Sequence, residues 1–300
     1  MIAPALVVLA AGLGSRYGGL KQFDPIGPGG STLMDYALFD AWRAGFRRAV
    51  FVLRPESVAE VMPGFSARYG SRFELAAATQ RLEDLPAGFG VPPDRTRPWG
   101  TTQAVLAAAP LLDGPFAVLN ADDFYGRQAI DTIAGFLRAG HPPAHHAVIG
   151  YPLELTASSE GGVNRALLAQ APDGTLSDIT EMRDLVRRAD GTFIGRAAHG
   201  PRRVPGNALV SMNLWGFGAG AVDPLLVAFR SFLEAGPDAG DECYLPDAVR
   251  RLIHRGEGQV TVIRTHGQWC GVTYASDRSW VASILAEFVG KGEYPGRLWP

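Results

Sequence analysis

Two groups of residues in this chain have types and spacing suited to chemistry. The first is "AAGLGSRYGGLKQ" at 10–22, where Gly12, Gly14, Gly18 and Gly19 surround Arg16 and Lys21. Glycines carry no Cβ, so main-chain N–H groups there approach a phosphate closely. Arg16 and Lys21, embedded among them, focus positive charge on a phosphate-sized space. The second is "NADDFYG" at 120–126, where Asp122 and Asp123 close an apolar run. A carboxylate at the end of such a strand faces the crevice where α/β sheets bind ligands, and strand alternation sends the two neighbours in opposite directions.

Alternative chemistries for the glycine loop fit less well. A dinucleotide fold needs its third glycine where a helix opens almost at once. Here the chain continues through Phe23, Pro25 and Pro28, and helical spacing begins only near residue 31. A P-loop needs Gly-Lys followed directly by Ser or Thr, and Lys21 is followed by Gln22. A solvated surface loop is the bland alternative, and the two embedded cations argue against it. His141, His145 and His146 flank a Pro-Pro turn without a suitably spaced fourth ligand, so a zinc site is not expected.

The rest of the chain must position these groups. Its 300 residues suffice for one large α/β domain, and 47% hydrophobic with 19% charged residues fits an ordinary core. A net charge of −2, from 28 basic and 30 acidic residues, gives no reason to expect a nucleic-acid or membrane partner. Cys243 and Cys270 make no disulfide framework, which points to a reducing cytoplasm. "MIAPALVVLAAG" resembles a signal-peptide core but has no basic residue before it, and a buried strand explains it better.

Short apolar runs alternate with helical patterns. Strands are expected at 5–10, 49–53, 73–79, 116–123 and 146–153, with helices at 31–46 and 101–112. Thr32, with Asp35 three residues on, is the expected helix cap. This alternation implies a mostly parallel sheet covered on both faces. Later, 163–182 reads as a hairpin turning at Pro172-Asp173-Gly174 and 207–217 as a strand. Helices at 221–235 and 241–255, a strand at 259–264 and a helix at 277–289 complete the pattern. The Arg-rich stretch 183–206 reads as a loop, solvated at the surface in preference to a substrate clamp. The Pro-rich stretch after Arg81 reads as a flap.

The segment "LAAGLGSRYGGLKQ" resembles the signature of sugar-1-phosphate nucleotidylyltransferases. "ATQRLEDLP" with "PWGTTQAVLAA", "VLNADDFYG", "GGVNRALL" with "LSDITEM", "SMNLWGF" and "QWCGVTYASDRSWV" match in the same order, from about residue 5 to 285. The resemblance implies a Rossmann-like, GT-A-like α/β fold: a single domain (1–300) with a mixed, mostly parallel central sheet and a smaller sugar-binding sheet. Residues 1–125 would bind the nucleotide and 126–300 the sugar phosphate.

The implied reaction is attack of a sugar-1-phosphate oxygen on the α-phosphorus of an NTP, UTP or dTTP, releasing pyrophosphate, with possible homo-oligomers and no membrane partner. Positioning and charge neutralisation suffice for it. Arg16 would hold the β/γ-phosphates, and Lys21 the sugar phosphate and the α-phosphate. Ala11, Gly12, Gly14, Ser15, Gln80, Gly100 and Thr101 would contact the nucleotide. Gly162, Glu181 and Asn213 would contact the sugar.

Mg²⁺ would bind Asp122, with Asp277 as the nearest second carboxylate or, equally, the cap of the last helix. The family often has Asp two residues after the Trp, where this chain has Gly271, and Lys after the Glu, where it has Met182. Asn213 is alternatively a buried strand residue satisfied by backbone. Two further readings stay open: transfer to a non-sugar phosphomonoester such as phosphocholine, and a catalytically degenerate nucleotide-binding regulator. A nicotinamide oxidoreductase is disfavoured by the long loop before its helix.

Overall fold

The structure is a computed structural model that describes residues 3–12, 24–158, 161–272 and 276–299. Four parallel strands form its centre: β1 (Ala5–Leu9), β2 (Arg48–Leu53), β3 (Glu74–Thr79) and β4 (Phe116–Asn120). Their order is β4-β1-β2-β3, with Leu9 in register with both Val52 and Asn120. Both faces of β1 are buried, which is why its sequence is apolar throughout rather than alternating.

Helix α1 (Leu33–Arg43) and helix α2 (Pro55–Tyr69) cover one face, where Leu6 and Val8 meet Leu33, Leu38 and Phe65. Helix α3 (Thr101–Ala108) covers the other, where Ala5 and Val7 meet Ala104 and Val105. The connection that follows β1 thus lies on one face and the one that precedes β4 on the other, so the strand order reverses between β1 and β4, the point at which α/β sheets bind ligands beyond the strands' carboxyl ends. The expected α1 cap is present. Thr32 N–H donates to Asp35 Oδ2 at 2.7 Å, and Asp35 N–H donates to Thr32 Oγ1 at 3.1 Å. Buried Asp35 also accepts from Arg68 Nη2 and Tyr69 OH, both at 2.6 Å, so one carboxylate ties α1 to α2.

The sheet continues through antiparallel strands. β5 (Asp123–Phe124) follows β4 after a turn, then α4 (Arg127–Arg138) and β6 (His145–Pro152). β7 (Val163–Gln170) and β8 (Leu176–Arg187) form the expected hairpin, and β9 (Phe193–Ala197), β10 (Gly200–Val204) and β11 (Leu209–Phe217) follow. Helices α5 (Val222–Glu234) and α6 (Leu245–His254), strand β12 (Gln259–Arg264), the short β13 (Cys270–Gly271) and helix α7 (Asp277–Gly290) complete the chain. The order β10-β9-β8-β7-β11-β4-β1-β2-β3, with β6 beside β11 and β12 parallel beside β6, makes one eleven-stranded sheet. The second sheet expected from the sequence is thus an antiparallel extension of the first, joined where Ser211 pairs with Ala166. β5 and β13 pair separately.

Four local expectations change. The strand expected at 116–123 ends at Asn120, and Asp122 sits in the turn before β5. The helix expected at 101–112 passes into a 3₁₀ turn at Ala109–Leu111, because Pro110 lacks the N–H that would continue it.

The stretch 183–206 is a ribbon, not a loop. β8, β9 and β10 pair in sequence, with buried Leu185, Phe193 and Val204 beneath ion pairs Arg196–Asp184 and Arg203–Asp190. The Pro-rich stretch after Arg81 is pinned rather than free. Arg95 donates to the carbonyls of Arg97, Pro98, Asp238 and Asp241 and lies 3.6 Å over the Trp99 ring, while Trp99 Nε1 donates to the Leu82 carbonyl. No helix among the described residues is long and apolar enough to cross a membrane.

Candidate functional site

β1 and β4 end side by side, with Ala11 and Gly12 following the one and the acidic turn following the other. Ala10 N–H donates to the Val52 carbonyl and Ala121 N–H to the Leu9 carbonyl, so the ladder holds the exits of β1 and β4 side by side. Ala11 is buried, and its carbonyl accepts from Arg54 Nε at 3.1 Å, anchoring the glycine loop at its start. Gly12 is exposed, and a Cβ added there would meet nothing within 4 Å among the described residues. Crowding by those residues therefore does not explain its glycine. Gly14, Ser15, Arg16 and Lys21 lie outside the described residues.

A cavity of about 310 Å³ lies between the end of β4 and the antiparallel extension, with Asp122, Asp123, Glu181, Asn213, Arg165 and Thr101 in its lining. Asp122, in the turn, is exposed and Asp123, in β5, is buried, so the neighbouring carboxylates have different surroundings through the end of β4 and not through alternation along one strand. Asp123 Oδ2 accepts from Asn120 Nδ2 at 2.9 Å and from Tyr125 OH at 3.2 Å. Asn120 Oδ1 accepts from Asn213 Nδ2 at 2.8 Å, and Asn213 Oδ1 accepts from Trp215 Nε1 at 2.9 Å. This chain of bonds runs from β11 to β5 and fixes the acidic turn from behind.

Asn213 holds its place through backbone geometry. It has φ 64° at a register shift in β11 between Ser211 and Trp215. Such a bulge re-aims a side chain, and Asn tolerates the left-handed region better than most residues. Its side chain is satisfied by two other side chains, not by backbone.

Electrostatics separate the carboxyl groups. Burial, and then the charge of Asp122, push the Asp123 carboxyl above its ordinary range. Glu181, on β8, is pushed up to about 7 by burial and by Asp247. Asp122 is the carboxylate best placed to meet a cation from solvent. The oxygen donors suit Mg²⁺, which takes one or two carboxylates and completes its shell with phosphate oxygens and water. No group of three His, Cys, Asp or Glu side chains forms a metal cage among the described residues, so such an ion would depend on ligand oxygens.

Of the other described residues named from sequence, Thr101 lines this cavity and the rest do not. Asp277 lines a different cavity, of about 700 Å³, with Glu154 and Trp280, and its Oδ1 accepts from Ser158 Oγ at 3.1 Å. It is the first residue of α7, whose cap position is Ser276, so the capping role does not hold. Gln80 donates its side-chain amide to the Gly100 carbonyl at 3.0 Å and Gln103 Oε1 at 2.8 Å. Gly100 has φ +100°, and its missing Cβ would lie 2.6 Å from the Cys243 carbonyl. Thr101 Oγ1 accepts from Leu245 N–H at 2.8 Å and also lines the first cavity. Gly162 packs against the Asp184 main chain, with an added Cβ 3.1 Å from its Cα, and is absent from that lining.

The sequence reading missed Arg165, Asn120 and Tyr244 as cavity residues. Arg165 sits inside "GGVNRALL", one strand away from Glu181, and only the β7–β8 register places it.

No family model and no curated protein matches the chain. Among solved structures it is similar to the inositol-1-phosphate CTP transferase from T. maritima, with a TM-score of 0.62 and 14% identity over 96% of this chain and 97% of that one. At that identity the likeness establishes the fold: a mixed α/β architecture with a parallel centre, shared end to end.

Proposed function

We propose that the protein transfers a nucleotidyl group from an NTP to a sugar 1-phosphate, releasing pyrophosphate with the help of Mg²⁺. One observation carries this reading. Ala11 and Gly12, which open the glycine loop, and the acidic turn follow the adjacent parallel strands β1 and β4, and the turn lines a polar cavity built with the antiparallel extension. A fold-level likeness to an enzyme that joins CTP and inositol 1-phosphate agrees with two anionic substrates meeting there.

Both substrates repel each other, so the chain's task is to hold them in line and neutralise charge. Arg16 and Lys21 would grip phosphates from the loop, and Asp122 would hold the ion. Bound Mg²⁺ would offset the charge of the phosphate oxygens. Asn120, Asn213 and Tyr125 fix the acidic turn so that no reorganisation is needed when the substrates arrive. Glu181 and Asn213 would accept or donate to hydroxyls of the acceptor.

A second reading has its own observation. Glu181 and Tyr244 also line an adjoining cavity of about 420 Å³ with Glu242, Asp247, Arg183 and Arg251. Carboxylates beside an aromatic ring suit a cationic acceptor such as phosphocholine.

The test is a matrix of UTP, dTTP and CTP against hexose 1-phosphates, inositol 1-phosphate and phosphocholine, read by pyrophosphate release. Turnover with a sugar or cyclitol phosphate supports the first reading, and turnover with phosphocholine alone supports the second. Nucleotide-induced thermal stabilisation without turnover on any pair would favour a regulatory protein. Within an active pair, Lys21→Ala and Asp122→Ala are expected to abolish release while the fold survives. Wild-type turnover in both would overturn the site assignment.

A further inference from the structure

Arg165 is the one cationic side chain among the described residues lining the 310 Å³ cavity, which also holds the carboxylates of Asp122, Asp123 and Glu181. Its guanidinium lies 5.1 Å from the centroid of the Trp269 ring. Nε donates to Thr156 Oγ1 at 3.3 Å, Nη1 to the Asn164 carbonyl at 2.8 Å and Nη2 to the Thr156 carbonyl. These acceptors are all neutral. They fix the plane of the fork and use three of the five donors a guanidinium carries. Burial pulls its pKa down to about 10, against the opposing charges of Asp123 and Glu181, so it stays charged at neutral pH.

An arginine held this way, set over an indole ring and tied by neutral oxygens, is oriented before any ligand arrives. A phosphomonoester dianion entering a cavity with three carboxylates would be repelled unless a cation met it there. The neighbouring strand offers none at this level, since Met182 stands directly opposite Arg165. Two strands, β11 and β4, separate β7 from β1 and the loop that follows it. That spacing places Arg165 on the acceptor's side of the site.

Resting on the proposed transfer reaction, we infer that Arg165 anchors the phosphate of the acceptor, its Nη donors taking phosphoryl oxygens, and leaves the NTP phosphates to the glycine loop. The planar fork suits two oxygens of one phosphate in a way a lysine point charge does not.

The experiment measures two bindings and one rate in wild type, Arg165→Lys and Arg165→Met. Calorimetric titration with glucose 1-phosphate and with inorganic phosphate reads the acceptor side. Titration with Mg-UTP reads the nucleotide side, and pyrophosphate release across the matrix reads turnover. The expected result is acceptor and phosphate binding weakened about tenfold or more in Arg165→Met, with a smaller loss in Arg165→Lys, while Mg-UTP binding stays within about twofold.

With an active pair, the acceptor KM should rise in the same order while the NTP KM holds. Unchanged phosphate binding in both variants, equal losses for phosphate and Mg-UTP, or a wild type that binds no phosphomonoester would each overturn the inference. Turnover with an unchanged acceptor KM in the variants would sink the anchor and leave the transfer reaction standing. Arginine-dependent phosphate binding without turnover on any pair would do the reverse.

Discussion

Gly271 stands directly opposite Asp123 across the β13–β5 pair. A Cβ at position 271 would lie 2.7 Å from Asp123 Oδ1 and 2.8 Å from Trp269 Cζ2. The space where a residue-271 side chain would begin is already taken by the Asp123 carboxylate. The position that resembles a second acidic ligand in sequence is therefore closed to one by a carboxylate from the neighbouring strand.

Installing an acid there should consequently fail to add a metal ligand. Gly271→Ala and Gly271→Asp are both expected to lose about 1–3 kcal/mol of stability, because the neighbours are packed and must shift. The aspartate should be the worse, since it adds a like charge beside Asp123 and Asp122. Denaturant unfolding checks the order, and an Asp variant as stable as wild type would refute it.

Asn213 offers a comparison between backbone and side chain. Asn213→Ala removes the bonds to Asn120 and Trp215 and leaves a β-carbon at φ 64°. Asn213→Gly removes the same bonds but relieves the backbone. Both should be destabilised by about 1–3 kcal/mol for the orphaned buried partners. The glycine variant should recover about 0.5–1 kcal/mol relative to alanine, as left-handed geometry suits glycine. Equal stability in the two would mean that the β11 bulge relaxes when its side chain is lost.

Asp40 gives a pH dependence whose sign can be worked out. It is buried in α1 and accepts from Tyr294 OH at 2.6 Å, while its Oδ1 has no partner among the described residues. Burial raises its carboxyl from 3.8 to about 7. Between those values the folded chain holds a proton that the unfolded chain has released. Stability from this group is full below about pH 4 and falls as pH rises toward 7, by at most about 1.4 kcal/mol per unit. Asp123 and Glu181 shift in the same direction, so Asp40→Asn should flatten the trend without abolishing it. Melting temperatures at pH 5 and pH 7.5 test this, and an unchanged slope in the variant would assign the trend elsewhere.

The sequence displays the centre of the fold better than its edges, for physical reasons visible in single elements. β1 and β2 are buried on both faces, so their composition alone marks them. The ribbon 183–204 is held by cross-strand ion pairs over a few buried side chains, and its arginines read as solvated loop. α2 has no counterpart among the expected elements; Pro63-Gly64 interrupts its helical pattern, although Val61, Phe65 and Tyr69 keep one buried stripe through it. Asp122 is visible in the sequence because it follows an apolar run, and Glu181 only through the family resemblance; both line the cavity. Arg165 is not visible in the sequence, because its meaning comes from a register 17 residues away, opposite Met182.

Gly12 and Gly100 look alike in sequence and should behave in opposite ways. Gly100 has φ +100°, and an added Cβ would lie 2.6 Å from the Cys243 carbonyl and 2.8 Å from its nitrogen. Both atoms are already engaged, since Cys243 N–H donates to Trp99 and its carbonyl accepts from Thr102 N–H. Gly100→Ala therefore strains the backbone and separates α3 from the segment before α6, at a cost of about 2 kcal/mol or more. Gly12→Ala meets nothing within 4 Å among the described residues and needs no left-handed backbone, so its melting temperature should stay within about 2 °C of wild type. If the main chain at Gly12 approaches a triphosphate, the added methyl blocks that approach, and Mg-UTP binding should weaken about tenfold while the fold is untouched. Thermal unfolding with and without Mg-UTP separates the two effects in one experiment. A Gly12→Ala protein that keeps its full nucleotide-induced stabilisation would remove Gly12 from the nucleotide site.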